Sequence, residues 1–436
     1  MSSPATATKD VPLMESLSLE LHDAVKTLQK HLDQKGQPRP SLDKDTPAVV
    51  LTEDAPPEVQ TAREDILNHA LKLFRLAAGP SEYIFNMRAG YQYAGCIQWL
   101  WKFQIFDLVP TDSSISYADL ATQTNVPIAH MKTVIRMAMT DGIFTEPERQ
   151  RVSHSAASLY IRSDSRTRDW LSWLCTFTMP VVAAMTDAHV KWPNSESRVH
   201  TAYNHAFDTD LPLFDWLATI PERKAHFSQL MRAVSAASPL NIRHTLAGFN
   251  WAALGGATVV DLGGSTGHVS IALAREYPDL NFIVQDLPEV IEGAQQYLHS
   301  LPDGNSLEDR IQYRTHDLFT PQPVPDAAVY LLRMILHDWG FDDTVKILSC
   351  ITPALRAGSR ILVADMIMPD PGSVPVTKER FLRGADLTML QNFNSHERDL
   401  DDWKGICSAV DGGLKILNIV KPGGSGLSFM ELGVRG

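Results

Sequence analysis

The stretch "VVDLGGSTGHVSIALAREYPDLNFIVQDLP", Val259 to Pro288, sets Gly263, Gly264 and Gly267 and the carboxylates Asp261 and Asp286 around two apolar runs. The runs "TVVDLG" and "NFIVQD" read as strands, and each delivers a carboxylate to its carboxyl end. Asp286, 25 positions beyond Asp261, stands where a carboxylate can accept hydrogen bonds from both hydroxyls of a ribose. A third run ends in "HDLF", where Asp317 can accept from an adenine amine and Leu318 can cover the ring. The glycines permit close backbone approach, and the helix opened by "HVSIALAREY" favours negative charge at its N-terminus. Acidic groups at three successive strand ends suit a ligand with an amine, a diol and a purine, and suit a pyrophosphate poorly. A dinucleotide fingerprint is missing: counted from Gly263, Ser265 and His268 stand where its second and third glycines belong. A phosphate loop is missing too, because no Lys-Ser/Thr pair follows.

The elements that must hold these residues follow from the rhythm of the chain. From about Ala257, short β-rich runs alternate with helical stretches, which predicts an α/β fold with a doubly wound parallel sheet covered on both faces. Ligands of such sheets sit at the carboxyl ends of the strands. Upstream, from Arg63 to about Ala237, the pattern is helical, and "AGYQYAGCIQWLWKFQIFDLVP" is apolar on nearly every side, as a buried or interface helix would be. In "SISYADLATQTNVPIAHMKTVIRMAMTDGIFTE", Ser116 is spaced to cap a helix at Asp119. The chain then turns at Asn125 to Pro127 and enters a second helix ending at Met139, a winged-helix pattern once a strand pair follows. Before Val59 an amphipathic piece with Leu17, Leu19, Leu21, Val25 and Leu28 predicts a helical arm on a loose linker. The expected regions are a flexible arm over 1–60, a helical winged-helix region over 61–240 and the α/β domain over 241–436.

Composition narrows the partners. The chain has 436 residues, 44% of them apolar, with 39 basic against 51 acidic residues and a net charge of −12. That balance argues against gripping phosphate backbones or anionic lipid. The second helix of the winged unit offers only Lys132 and Arg136 among Met131, Val134, Ile135, Met137 and Met139, so nucleic acid is not expected as a partner. Cys96, Cys175, Cys350 and Cys407 lie far apart without a C-x-x-C pair, which predicts a reducing, cytoplasmic setting. No leader pattern or membrane-length apolar run is read, and no membrane partner is expected. His316–Asp317 and His337–Asp338 are isolated pairs without ligand spacing, so no metal is expected.

"VVDLGGSTGHVS", "VQDLPEV", "HDLF", "LLRMILHDW" and "ILVADMIMPD" follow one another as in the class I S-adenosylmethionine-dependent O-methyltransferases. Over about residues 65–436 the chain resembles their fungal and plant small-molecule branch, related to caffeic acid O-methyltransferase. The resemblance implies a C-terminal Rossmann-like methyltransferase domain, an N-terminal mainly helical winged-helix domain that dimerises and encloses substrate, and a homodimer. It implies S-adenosyl-L-methionine as cofactor, with Gly263 and Gly264 along the methionine moiety, Asp286 and Leu287 at the ribose, Asp317 and Leu318 at the adenine, and Arg333 nearby. His337 takes the place of the base, with Asp365 and Glu397 as the carboxylates that support it, while Asp338 is read as structural at the next helix start. His154, Met389 and Asn392 are implied to contact an aromatic or polyketide-like substrate, in a pocket also lined by Phe393, Trp170, Trp173 and Phe177. An imidazole of ordinary pKa near 6.5 would serve to deprotonate a phenol or enol. The rival reading keeps the fold and cofactor but catalyses a dehydration or pericyclic step, and the presence of His337 with supporting carboxylates favours methyl transfer.

Overall fold

The computed structural model describes residues 11–52 and 54–434. By internal contacts the chain divides into two compact units: one from the N-terminus to Thr176 with Gly372–Glu379, the other Phe177–Pro371 with Arg380 to the C-terminus.

In the first unit a helix over Leu13–Lys35 packs Leu28 and Leu32 against Val59, with Val50, Leu51 and Ile66 alongside. Within the region expected as a flexible arm, the helix Leu13–Lys35 packs its apolar stripe against the helix that starts at Pro57, while residues 1–10 of that region lie outside the described residues. That helical run, Pro57–Lys102, is broken at Gly79, whose φ of 62° precedes Pro80, a residue that cannot continue the backbone ladder. The winged unit forms as read. β1 (Ile115–Ser116) leads into a helix capped by Ser116 Oγ, which accepts from Asp119 N at 3.0 Å, and that helix ends at Asn125 with φ of 54°. A second helix over Ile128–Met139 and the strands β2 (Thr145–Glu148) and β3 (Arg151–Ser153) complete it, in the sheet order β1-β3-β2.

The second unit holds a seven-stranded sheet made of β4 (Thr258–Leu262), β5 (Asn281–Asp286), β6 (Ile311–Thr315), β7 (Val329–Arg333), β8 (Arg360–Asp365), β9 (Leu414–Val420) and β10 (Ser428–Val434). Its order is β6-β5-β4-β7-β8-β10-β9. The first five strands run parallel, as expected, whereas β10 pairs antiparallel with both β8 and β9. Alternate residues feed two cores: Val259, Leu331, Leu362 and Phe429 on one face, Val260, Leu332, Val363 and Met430 on the other.

The boundary between units lies at Thr176, upstream of the expected one near residue 240. Residues after Thr176 pack within the second unit: Phe177 joins Tyr203, Phe207 and Trp216 in an aromatic cluster, Phe214 packs on Phe393, and Leu240 O accepts from Arg333 Nη2 at 2.7 Å. Among the described residues one helical stretch, Ser165–Lys191, is long and apolar enough to cross a membrane by length and composition alone. The sequence reading found no such run because polar residues such as Arg166, Arg168, Asp169 and Asp187 interrupt the apolar ones, and a π-helical turn at Leu174–Thr178 joins the two helices of the stretch.

Candidate active site

At the ends of β4 and β5 the backbone is shaped by glycine. Gly263 has φ of 70°, and an added Cβ would meet Ile335 Cδ1 at 2.5 Å. At Gly264 an added Cβ would meet Asp261 Cγ and Val284 Cγ1, each at 2.8 Å, so this glycine serves close packing of loop on strand. Both N–H groups donate to Gln285 O, which fastens the loop to β5. Asp286 closes the cradle: its Oδ2 accepts from Ser265 N and its Oδ1 from Leu287 N, both at 2.8 Å. Burial raises its pKa against the pull of those two donors. Each oxygen keeps a lone pair for a further donor. Leu287 is 41% exposed beside it, and Asp317, exposed after β6, accepts from Phe319 N at 3.0 Å with Leu318 adjoining. Beneath the loop Asp261 is buried, accepts from Ser270 Oγ at 2.7 Å and is pushed up to about 6 by burial.

The ends of β7 and β8 carry a denser arrangement. Arg333 closes β7, buried, with its Nε unpaired among the described residues and Asp261 and Asp365 acting on it through space. Met334 follows with φ of 55°, turning the chain into the short helical turn Leu336–Asp338. There His337 Nδ1 meets Glu397 Oε1 at 2.7 Å, both residues being buried. The hydrogen bond to Glu397 places the Nδ1 proton on the side of that carboxylate. Burial alone would lower the imidazole pKa, but the carboxylates of Glu397, Asp338 and Asp365 outweigh it and hold His337 up at about 10. The ordinary value expected from sequence is thus corrected by three anions gathered from separate segments.

The two supporting carboxylates are not equivalent. Glu397 touches the ring, whereas Asp365, at the end of β8, has the Met334 backbone N–H beside it and is pushed up to about 6 by burial. Asp338 is not a helix cap: the following helix, Phe341–Ile351, has Gly340 at its N-cap. Asp338 Oδ1 lies 3.6 Å from His337 Nε2 instead. Sequence reasoning also passed over Arg398, which donates to Leu336 O at 2.8 Å, to Trp339 O and to Thr344 Oγ1 at 2.9 Å and so clamps the turn that carries His337. Only its position next to Glu397 could have drawn attention to it.

Met389 and Asn392 are buried on the helix Val376–Phe393, and Asn392 Oδ1 lacks a partner among the described residues. Phe177 is enclosed in the aromatic cluster already described, so it is a core residue. His154 belongs to the first unit, where its Nδ1 meets Ser158 Oγ at 3.0 Å and its Nε2 meets Val109 O at 3.1 Å. With both nitrogens engaged and its ring against Phe144, it ties together segments of the first unit. Trp173 is buried and Trp170 half exposed in the same unit. Among the described residues no group of three or more His, Cys, Asp or Glu is placed to hold a metal ion.

Comparison with known proteins places the chain in a family. A profile of the O-methyltransferase domain matches residues 186–411, and one for the N-terminal domain of the trypacidin cluster transcriptional coactivator tpcD matches residues 13–78. The chain is 49% identical over 419 residues to O-methyltransferase aoiF of Aspergillus oryzae, covering 96% of this chain and 99% of that one. It is 42% identical over 435 residues to O-methyltransferase pgmB of Aspergillus terreus, covering 99% and 98%. The solved structure of OxaC shares the fold with a TM-score of 0.75 at 19% identity, over 96% of this chain and 99% of that one. LepI in complex with S-adenosylmethionine does so with 0.70 at 24%, over 96% and 100%. With relatives aligned nearly end to end and the domain profile over residues 186–411, the chain belongs to the small-molecule branch of the class I S-adenosylmethionine-dependent O-methyltransferases.

Proposed function

We propose that the protein methylates a phenolic or enolic hydroxyl of a small aromatic or polyketide-like metabolite, with His337 as general base. The cofactor, when bound, supplies an electrophilic methyl group on a sulfonium. The residues present fit it: Asp286 offers two acceptor oxygens already aligned by backbone donors, Asp317 a second carboxylate and Leu287 and Leu318 apolar cover, with Gly263 and Gly264 keeping the loop low. His337 Nε2 takes the hydroxyl proton, and Glu397 stabilises the imidazolium that results. A base raised to about 10 is matched to a phenol, whose ordinary pKa is also about 10, so the proton passes with little free-energy cost. Asp365 adds attraction through space, and Arg398 keeps the turn in place. Met389 and Asn392 line the acceptor side in this reading.

The observation that carries the proposal is the buried 2.7 Å contact between His337 Nδ1 and Glu397, beside strand ends shaped for the cofactor. Mass spectrometry with a methyl-labelled cofactor and a panel of hydroxyarenes and enols tests it. A product heavier by one labelled methyl supports the assignment, and an unmethylated isomer or dehydration product replaces it with the rearrangement reading.

The same reading includes a homodimer, supported by Ile84, Phe85, Met87 and Tyr91, which stand 64, 78, 64 and 64% exposed on the helix after Gly79. Light scattering on the full chain should give twice the monomer mass, and a stable monomer at micromolar concentration removes this part. Four free cysteines accord with a reducing cytoplasm.

A further inference from the structure

His337 Nε2, the nitrogen left for the substrate, faces a charge arrangement that proton abstraction does not use. Asp338 lies 3.6 Å from it, and after His337 the cation that acts on Asp338 is Arg198. The Arg198 guanidinium stands over the indole of Trp339, Cζ 3.7 Å from the ring centroid, while Phe319 packs edge-on against the same indole at 4.6 Å. The loop that carries Arg198 is fastened on several sides. Asn394 Nδ2 donates to Ser197 O at 2.7 Å and His200 O at 3.1 Å, the His200 ring stacks on Trp192 at 4.9 Å, and Ser195 Oγ meets His200 Nδ1 at 2.7 Å. All of these residues belong to the second unit.

Among the described residues, Arg198 is a partly buried cation without a direct counter-ion. Its Nε is buried and unpaired among the described residues, and Asp338, Asp343 and Asp215 act on it only through space. Burial pulls its pKa down, but a guanidinium keeps its charge at any physiological pH. Holding such a group away from water costs free energy unless an anion pairs with it. Asp338 offsets part of the charge without occupying the planar fork.

We propose that Arg198 binds a carboxylate of the methyl acceptor, so that the preferred substrate is a hydroxyarene whose reacting hydroxyl stands beside a carboxylate. The assignment rests on the methyl-transfer reading of the site. His337 Nε2 takes the proton of the hydroxyl, and Arg198, stacked on Trp339 two positions beyond the base, holds the neighbouring carboxylate through paired N–H donors. The acceptor ring is thereby fixed at two points, which aligns the oxygen for in-line attack.

The test is calorimetric titration of the protein saturated with S-adenosylhomocysteine, using 1-hydroxy-2-naphthoate and 1-naphthol, which differ only in the carboxylate. The wild-type protein should bind the acid at least about tenfold more tightly, as a charge-assisted paired contact allows. In Arg198→Met the acid should fall to the level of the naphthol while the naphthol is unchanged, and Arg198→Lys should recover part of the difference. S-adenosylhomocysteine affinity, measured first, should be the same in all three proteins, which also reports that the variants are folded. Binding of the acid no tighter than the naphthol in the wild type, including no binding of either, overturns the role of Arg198 and leaves the methyltransferase reading standing. An advantage for the acid that survives in Arg198→Met overturns it equally. Failure of the wild type to bind S-adenosylhomocysteine overturns instead the reading on which the proposal rests.

Discussion

The cofactor cradle and the base site lie at the carboxyl ends of one sheet but are built in opposite ways. In the cradle Asp286 is satisfied by the N–H groups of Ser265 and Leu287, one from the preceding loop and one from its own neighbour. The base site instead gathers His337, Asp338, Asp365 and Glu397 from three separate stretches and relies on Arg398 to hold its turn. In the proposed function, local backbone organises ligand binding, whereas long-range side-chain charge organises the chemistry. Damage to the first should appear in affinity, and damage to the second in rate and pH dependence.

The largest expected effect is in the base site. His337→Ala should lower methyl transfer by about 10²- to 10⁴-fold, the usual cost of losing a general base, while S-adenosylhomocysteine affinity stays nearly unchanged. Loss of both together would erase the distinction between the two regions. The cradle should answer differently: Asp286→Ala removes the anchor of two backbone N–H groups and should weaken S-adenosylhomocysteine binding by about 10- to 100-fold, as loss of charged hydrogen bonds does. Calorimetry reads this directly, and unchanged affinity would place the cofactor elsewhere.

Glu397→Gln should have a smaller effect on rate, about 10- to 100-fold, as for other groups that orient a histidine. Its sharper signature is in pH dependence. His337 must lose its proton before it can take another, so wild-type kcat/KM should rise with pH through neutrality toward about 10. Removing the largest of the anions that raise the imidazole should end that rise at lower pH. A profile that does not move would detach Glu397 from the base. Smallest of all, Gly264→Ala should lower the thermal midpoint without changing the pH profile, because its Cβ would press on Asp261 and Val284 at a cost of about 1–3 kcal/mol.

Legibility in the sequence follows the same division. The parallel strands, their terminal carboxylates and the Ser116 cap were readable because each depends on residues close together in the chain. The antiparallel insertion of β10 between β8 and β9 was not, since strand period does not name a partner. His337 was recognisable from the "HDW" setting, but the carboxylate at its ring stands 60 positions away, and the raised proton affinity exists only once three anions meet. His154 is the opposite case: its contacts to Ser158 and Val109 engage both nitrogens, and the 45-position separation from Val109 hides them in the sequence.

The central claim is that Glu397 holds the proton on His337 Nδ1 and, with its neighbours, raises the proton affinity of Nε2. Nitrogen-15 NMR of histidine-labelled protein bound to S-adenosylhomocysteine, with His337 assigned by its disappearance in His337→Gln, measures this most directly. The account predicts an Nδ1 that stays protonated throughout, an Nε2 that titrates well above 6.5 toward about 10, and a lower value in Glu397→Gln. An Nε2 titrating at or below the ordinary imidazole value, or one that Glu397→Gln leaves unchanged, would contradict it.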